Sequence, residues 1–347
     1  MTHAASAALT VQRHSGSAAA WNGAVPGLAG ATHCHLAGWL EVIGASLGHE
    51  TVRLQATDPR GSVVGLLPLA HVRSRLLGNY LVSLPFLNAG GPIGTPEGRA
   101  ALAEAAVREA EGRGAVLELR DRYERAPGRA PTDRKITVTL DLPDDPDVLL
   151  RSFSGRLRKN IGKPKREGME FRAGPDQVPA FWEVLSRNMR DLGTPVLPLG
   201  FFEAIAAAFP DSAIFGALYH QGRPVGCQCS FVFGETLEMV WGSTVREYNS
   251  LKPSSYITWA YMELAIARGC RVFDFGRCTP DSGTHRFKQQ WGGTDVALPW
   301  SHWAPGGADA APPSPDRPLF RLAVRGWQRL PLAVANRLGP RIARFLP

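Results

Sequence analysis

The residues best suited to chemistry lie close together, late in the chain. They form three runs: Phe273-Asp274-Phe275-Gly276-Arg277, then Asp281-Ser282-Gly283-Thr284-His285, then Phe287-Lys288-Gln289-Gln290-Trp291-Gly292-Gly293. Asp274, Arg277, His285 and Lys288 fall within fifteen positions, an acid, two cations and an imidazole among bulky aromatics. Such a set can bind a charged substrate and stabilise an oxyanion. Lys288 reads as the oxyanion or donor-phosphate contact, Asp274 as the group that binds or deprotonates the acceptor, and Arg277 as an anion clamp. A structural ion pair between Asp274 and Arg277 is an equal reading. His285 is a further general-base candidate, with no partner evident from the sequence. Tyr248, Asn249, Tyr256 and Trp259 flank the expected cleft as acceptor-positioning side chains. The cation-rich run Arg156 to Arg166, with Arg158, Lys159 and Asn160 at its centre, is either a phosphate-binding helix or an ordinary solvated face.

The elements that would carry these residues follow from pattern. Thr32 caps a first helix whose apolar face is Leu36, Trp39, Leu40, Ile43 and Leu47, with Gly48 to end it. Thr51–Gln55 and Val63–Val72 form a hairpin around Asp58-Pro59-Arg60-Gly61, and Leu81–Leu87 is extended. Pro96–Arg113 is a helix and Ala115–Arg120 a strand. A similar order follows: helices at Asp176–Leu192 and Leu199–Phe209, strands at Ala213–His220, Val225–Phe233 and Thr236–Ser243, a helix at Ser255–Arg268 and a strand at Arg271–Phe275. The pattern G-x-x-V-G recurs at Gly61–Gly65 and Gly222–Gly226 between paired strands. Each copy leads on to a helix and a strand carrying an acid, Glu118 or Asp274. The order implies a duplicated α/β unit.

The run from Phe273 to Gly293 resembles the Fem-like branch of the GNAT acyltransferases, in particular the FemAB-related proteins associated with exosortase and exopolysaccharide clusters. Leu66-Leu67-Pro68-Leu69, Val82-Ser83-Leu84-Pro85-Phe86, Gly90-Gly91-Pro92 and Trp327-Gln328-Arg329-Leu330-Pro331 carry the same likeness. The resemblance implies an α/β (α+β) protein of two tandem GNAT-like domains, each a mixed, mostly antiparallel sheet flanked by helices. It implies transfer of an acyl or aminoacyl group to an amine or hydroxyl of a cell-envelope or exopolysaccharide precursor, with acyl-CoA or aminoacyl-tRNA as co-substrate and no bound cofactor. It gives Lys288 the place of a lysine that assists the transferred carbonyl, and puts Trp291 in the aromatic slot of that motif. The expected organisation is a flexible N-terminus (1–30), a first GNAT-like domain (31–145), a catalytic second one (146–303), and a linker with a basic amphipathic C-terminal helix (304–347).

Composition limits the alternatives. The chain has 347 residues, 44% hydrophobic and 20% charged, enough for two domains. A formal charge of +8 favours anionic partners: an acyl donor, an envelope or polysaccharide precursor, tRNA, or an acidic membrane face reached by the C-terminal helix. The five cysteines lack the spacing of a zinc site or a disulfide framework, so no metal is expected, and Cys227 and Cys229 read as core thiols. With no signal-peptide pattern and no long apolar run, the expected location is cytoplasmic, at or near the inner membrane surface. A CoA-dependent acyltransferase acting on a small molecule or sugar, and a non-catalytic envelope-assembly or RNA-binding protein, are the competing readings.

Overall fold

The computed structural model describes residues 9–74, 77–122, 135–305 and 318–346, in two compact units. The first begins with β1 (Thr10–Arg13) and α1 (Ala18–Ala24), where the sequence suggested a flexible terminus. Trp21 of α1 is buried and its indole N–H donates to the His35 carbonyl at 2.7 Å, which ties the segment down. Thr32 caps a short 3₁₀ turn, and α2 (Gly38–Leu47) follows and ends on left-handed Gly48. The hairpin β2 (Glu50–Thr57) and β3 (Val63–Ser74) closes through Asp58, whose carboxylate accepts from the Arg60 and Ser62 amides. Next come β4 (Gly78–Val82), β5 (Ile93–Gly94), α3 (Pro96–Arg113) and β6 (Val116–Leu119). The extended segment expected to reach Leu87 stops at Val82, since Leu84 and Phe86 have positive φ and break the strand. Helix α3 has the expected limits because both ends are signalled: Thr95 accepts from the Gly98 amide, Pro96 opens the first turn, and Gly114 is left-handed.

The second unit contains β7 (Lys135–Asp141), α4 (Pro146–Ser152), α5 (Gly155–Arg166), β8 (Met169–Ala173), α6 (Val178–Leu192), α7 (Leu199–Ala208), β9 (Ala213–His220), β10 (Arg223–Phe233) and β11 (Thr236–Thr244). It continues with α8 (Pro253–Ala267), β12 (Val272–Cys278), α9 (Gly283–Gln289) and β13 (Thr294–Leu298). A further strand, β14 (Ser301–Trp303), pairs with β6 in the sheet of the first unit, and helices α10 (Pro318–Gln328) and α11 (Leu332–Ala343) return to the second. Most of the segment read as a linker, with Arg317, lies outside the described residues.

The sheets run β1-β2-β3-β4-β6-β14, with β5 beside β3, and β13-β7-β12-β11-β10-β9-β8. The duplication is visible in them. Each unit has an antiparallel meander, then a helix, then a strand parallel to the last strand of the meander: β4 with β6, and β11 with β12. In both, the parallel pairing ends at the acid noticed in the sequence, Val82 opposite Glu118 and Glu238 opposite Asp274. Burial alone would raise the Glu118 carboxyl, but Arg120 and His302 outweigh it and hold it at about 2. Asp274 is fully enclosed and accepts from the Thr137 hydroxyl of β7 and, at 2.8 Å, from the Gly276 amide.

That last contact shapes the strand. The register of β12 against β7 shifts between Asp274 and Arg277, and Gly276 sits at φ +70°, a bulge that bends β12 away from β11. Replacing Asp274 by Ala would leave the buried Gly276 N–H and Thr137 hydroxyl without this acceptor, at a cost of about 2–5 kcal/mol. The urea midpoint of Asp274→Ala is expected to fall accordingly; an unchanged midpoint with activity lost would return Asp274 to the reaction itself.

Candidate active site

Where β12 bends away, β11 is paired on one side only. Its partner β10 runs alongside from Thr236 to Thr244, whereas β12 pairs only from Thr236 to Glu238. The edge from Met239 to Thr244 therefore borders a cavity of about 550 Å³ inside the second unit. An extended ligand laid there can pair with the backbone as a further strand would. The far wall is Phe275 and Arg277 of β12 with Phe287 and Lys288 of α9, and the rim is Thr244, Arg246 and Asn249 with Ser254 and Thr258 of α8.

Lys288 reaches the cavity because α9 is fixed at its start. Ser282 caps it by accepting from the His285 amide at 3.1 Å. The Lys288 side chain is buried, and its ammonium donates to the Gly276 carbonyl and, at 3.0 Å, to that of Arg277, both turned inward by the bulge. An ammonium has three donors, and beside these two carbonyls Lys288 also meets the Cys278 thiol, a weak acceptor that a developing oxyanion could replace. Burial pushes the Lys288 pKa below the ordinary lysine value, with Cys278 and Asp274 acting against that shift. The cation is thus preorganised, its hydration replaced by carbonyls, the condition under which a donor to a developing oxyanion is most effective.

Only part of the expected constellation meets here. Lys288, Arg277 and Asn249 line the cavity; Asp274 and His285 do not. The expectation that Asp274 handles the acceptor gives way to a role in holding the bulge, since its carboxylate is sealed against Thr137 and Gly276. His285 is occupied on both nitrogens: Nδ1 accepts from the Asp281 amide and Nε2 meets the Asp295 carboxylate at 3.0 Å. Its partner, ten residues away across a turn, has no periodic signature in the sequence.

The aromatic residues expected to position an acceptor are core. Trp291 is buried edge-on to Phe153, centroids 5.3 Å apart, and also packs on Phe275 and Phe287. Trp259 meets the same Phe153 from α8. Tyr256 is half-buried against this core and burial raises its phenol pKa, while Tyr248 packs edge-on to His220. In the basic helix, Leu157, Ile161 and Pro164 face inward, and Arg158 donates to the Arg151 and Phe153 carbonyls at the end of α4. Lys159 is exposed and Asn160 half-buried; neither they nor Arg158 line the cavity. Lys163 gives α5 a link to the site, donating at 2.9 Å to the Ser250 carbonyl in the turn that carries Arg246 and Asn249.

Residues not singled out from the sequence complete the lining, above all Arg246 and Trp241, with Cys227, read from the sequence as a core thiol, beside them. Arg246 stands at the strand-to-helix turn before α8, a position that could have drawn notice. Cys227 is not a nucleophile: burial pushes its thiol well above the ordinary range, so no thiolate is available. The lining side chains include Arg246, Arg277 and Lys288 and no carboxylate or imidazole.

A cavity between parting parallel strands, rimmed by cations and walled by a preorganised ammonium, has the features that acyl transfer needs. Residues 151–289 match the family model described as an acetyltransferase (GNAT) domain. No curated protein sequence matches the chain. Among solved structures, FemX is similar with a TM-score of 0.62 at 14% identity, covering 84% of this chain and 97% of that one. L-PGS from Bacillus licheniformis gives 0.56 at 12%, over 90% and 97%. A tandem GNAT protein from the clavulanic acid biosynthesis pathway gives 0.53 at 13%, over 87% and 100%. Residues 151–289 match a GNAT acyltransferase domain, and the chain has the tandem GNAT fold of these structures.

Lys288→Ala is expected to lower kcat/KM on the order of 10²- to 10³-fold, the usual effect of one lost oxyanion donor. With the lysine pKa lowered, its protonated form is lost as pH rises through a value below 10.5, so wild-type activity should fall along that alkaline limb. Lys288→Arg, charged at every accessible pH, should abolish the limb. A limb unchanged in Lys288→Arg would contradict the assignment.

Proposed function

We propose that the chain transfers an acyl group from a phosphorylated thioester carrier of the acyl-CoA class to an amine or hydroxyl on a cell-envelope or exopolysaccharide precursor. The observation that carries the choice of donor is the charge of the cavity: Arg246, Arg277 and Lys288 line it and no carboxylate does. Arg246, at the mouth beside the start of α8, suits the carrier's phosphates. An aminoacyl donor would bring an α-ammonium into a space lined by three cations and no carboxylate. Support for an envelope acceptor comes from the fold shared with FemX and L-PGS.

In the reaction, the acceptor nitrogen or oxygen attacks the thioester carbonyl, a C–N or C–O bond forms, the C–S bond breaks and the carrier leaves as its thiol. Lys288 holds the carbonyl oxygen as it becomes negative, polarised by the Gly276 and Arg277 carbonyls behind it. The lining offers no carboxylate or imidazole base, so the acceptor enters as the neutral nucleophile and gives up its proton to solvent or to the departing sulfur.

Purified protein incubated with pooled acyl-CoAs, and separately with charged tRNAs, in the presence of amino-sugar and nucleotide-sugar acceptors, is expected to give a mass-shifted product from the CoA pool alone. Arg246→Ala should raise the KM for that donor more than it lowers kcat. Product formed from charged tRNA and not from acyl-CoA would reverse the assignment of the donor.

A further inference from the structure

The C-terminal helices play no part in the cavity, yet they are the most unusual surface of the molecule. From Leu319 to Leu346 the sequence contains six arginines and no Asp, Glu or Lys, so six of the net +8 charges fall in this short stretch. Among the described residues seven large apolar side chains stand exposed, and four are here: Leu322, Val334, Leu338 and Ile342. A fifth, Leu192, ends α6, on which both helices pack.

The docking of these helices decides which face looks outward. Ala335, Gly339 and Ala343, one turn apart on α11, are buried. A Cβ on Gly339 would lie 3.1 Å from the Val196 amide nitrogen, so this small-residue stripe lets the helix approach closely. Asn336 donates to the Ser186 hydroxyl, and Arg190 of α6 donates at 2.9 Å to the Leu330 carbonyl between the helices. Against α10, a Cβ on Gly193 would lie 2.5 Å from the Val324 side chain, which turns Val324 inward. The opposite side of α11 carries Val334, Arg337, Leu338, Arg341 and Ile342, all exposed, at spacings of three and four. On α10, Arg321, Leu322 and Arg325 are exposed in the same alternation, and Arg329 is exposed just past its end.

We propose that this outward face of α10 and α11 lies on an anionic lipid surface. An amphipathic helix in the membrane plane needs apolar side chains to enter the acyl boundary and cations at headgroup level. Val334, Leu338, Ile342 and Leu322 supply the first. Arg325, Arg329, Arg337 and Arg341 supply the second, their guanidiniums able to grip phosphates in pairs while their aliphatic stems lie along the apolar layer. Nucleic acid would use the arginines and leave four large aliphatic side chains in water, so the interleaving favours lipid. No helix among the described residues is long and apolar enough to cross a membrane, so the contact is peripheral.

Flotation of the full chain with phosphatidylglycerol-containing vesicles, against phosphatidylcholine alone, tests this. Binding is expected to the anionic vesicles, weakened by salt, and absent or much weaker with the neutral ones. Arg337→Ala with Arg341→Ala should weaken binding on the order of tenfold or more, and Leu338→Asp with Ile342→Asp comparably. Circular dichroism and turnover of soluble substrates should be unchanged in both, since these side chains project away from α6. Absence of wild-type flotation, or flotation indifferent to both double variants, would overturn the proposal. Salt-sensitive binding to RNA that survives Leu338→Asp/Ile342→Asp, without vesicle binding, would assign the face to nucleic acid instead.

Discussion

One interaction organises the second unit: the buried Asp274 carboxylate holding the Gly276 amide and the Thr137 hydroxyl. It stabilises a bulge that a regular strand would not adopt, and the bulge has two consequences. It ends the parallel pairing of β11 and β12 after three residues of register, which opens the edge of β11. It also turns the Gly276 and Arg277 carbonyls toward Lys288, giving a buried ammonium the partners that keep it in place. A dry interior tolerates a charge only where it is paired and hydrogen-bonded. Cavity and cation thus have a common origin, and neither can be moved without the other.

The first unit repeats the topology and not the chemistry. Glu118 occupies the position of Asp274, at the end of the parallel pairing of β4 and β6, but is paired with Arg120 and His302. Arg120 is further committed to the Leu84 and Leu87 carbonyls and to the face of Trp300. An acid at the same topological point thus braces a salt-bridged network in one copy and a strand bulge in the other. Duplicated folds can divide labour in this way because topology fixes where strands part, while a few side chains decide what the opening contains.

Elements with strong local signals were legible in the sequence: α3 with its threonine cap and closing glycine, the β2–β3 turn around Asp58, and α6 to β11. The order of elements and the repeated G-x-x-V-G, together with the family likeness, pointed to the tandem fold. What escaped was non-local. β7 belongs to the sheet of the second unit because Thr137 faces Asp274 across 137 positions of sequence, and β14 returns to β6 from the far end of the chain. Neither pairing leaves a trace in local periodicity. At the site, Lys288 lines the cavity, whereas Trp259, Trp291 and Tyr256 look alike in sequence whether they face substrate or core, and here Phe153 claims the two tryptophans. Asp274 attracted attention as an acid between phenylalanines, and its burial is real, but a carboxylate can be buried to shape a backbone as well as to move a proton.

The central claim is that the unpaired edge of β11, opened by the bend in β12, receives the acyl donor. Amide hydrogen exchange along residues 239–244, with and without a saturating non-transferable acyl-CoA analogue, tests it most directly. The account requires new protection in that stretch and around Lys288 when the analogue binds. Binding that leaves those amides unprotected, or that protects only amides elsewhere, would contradict it.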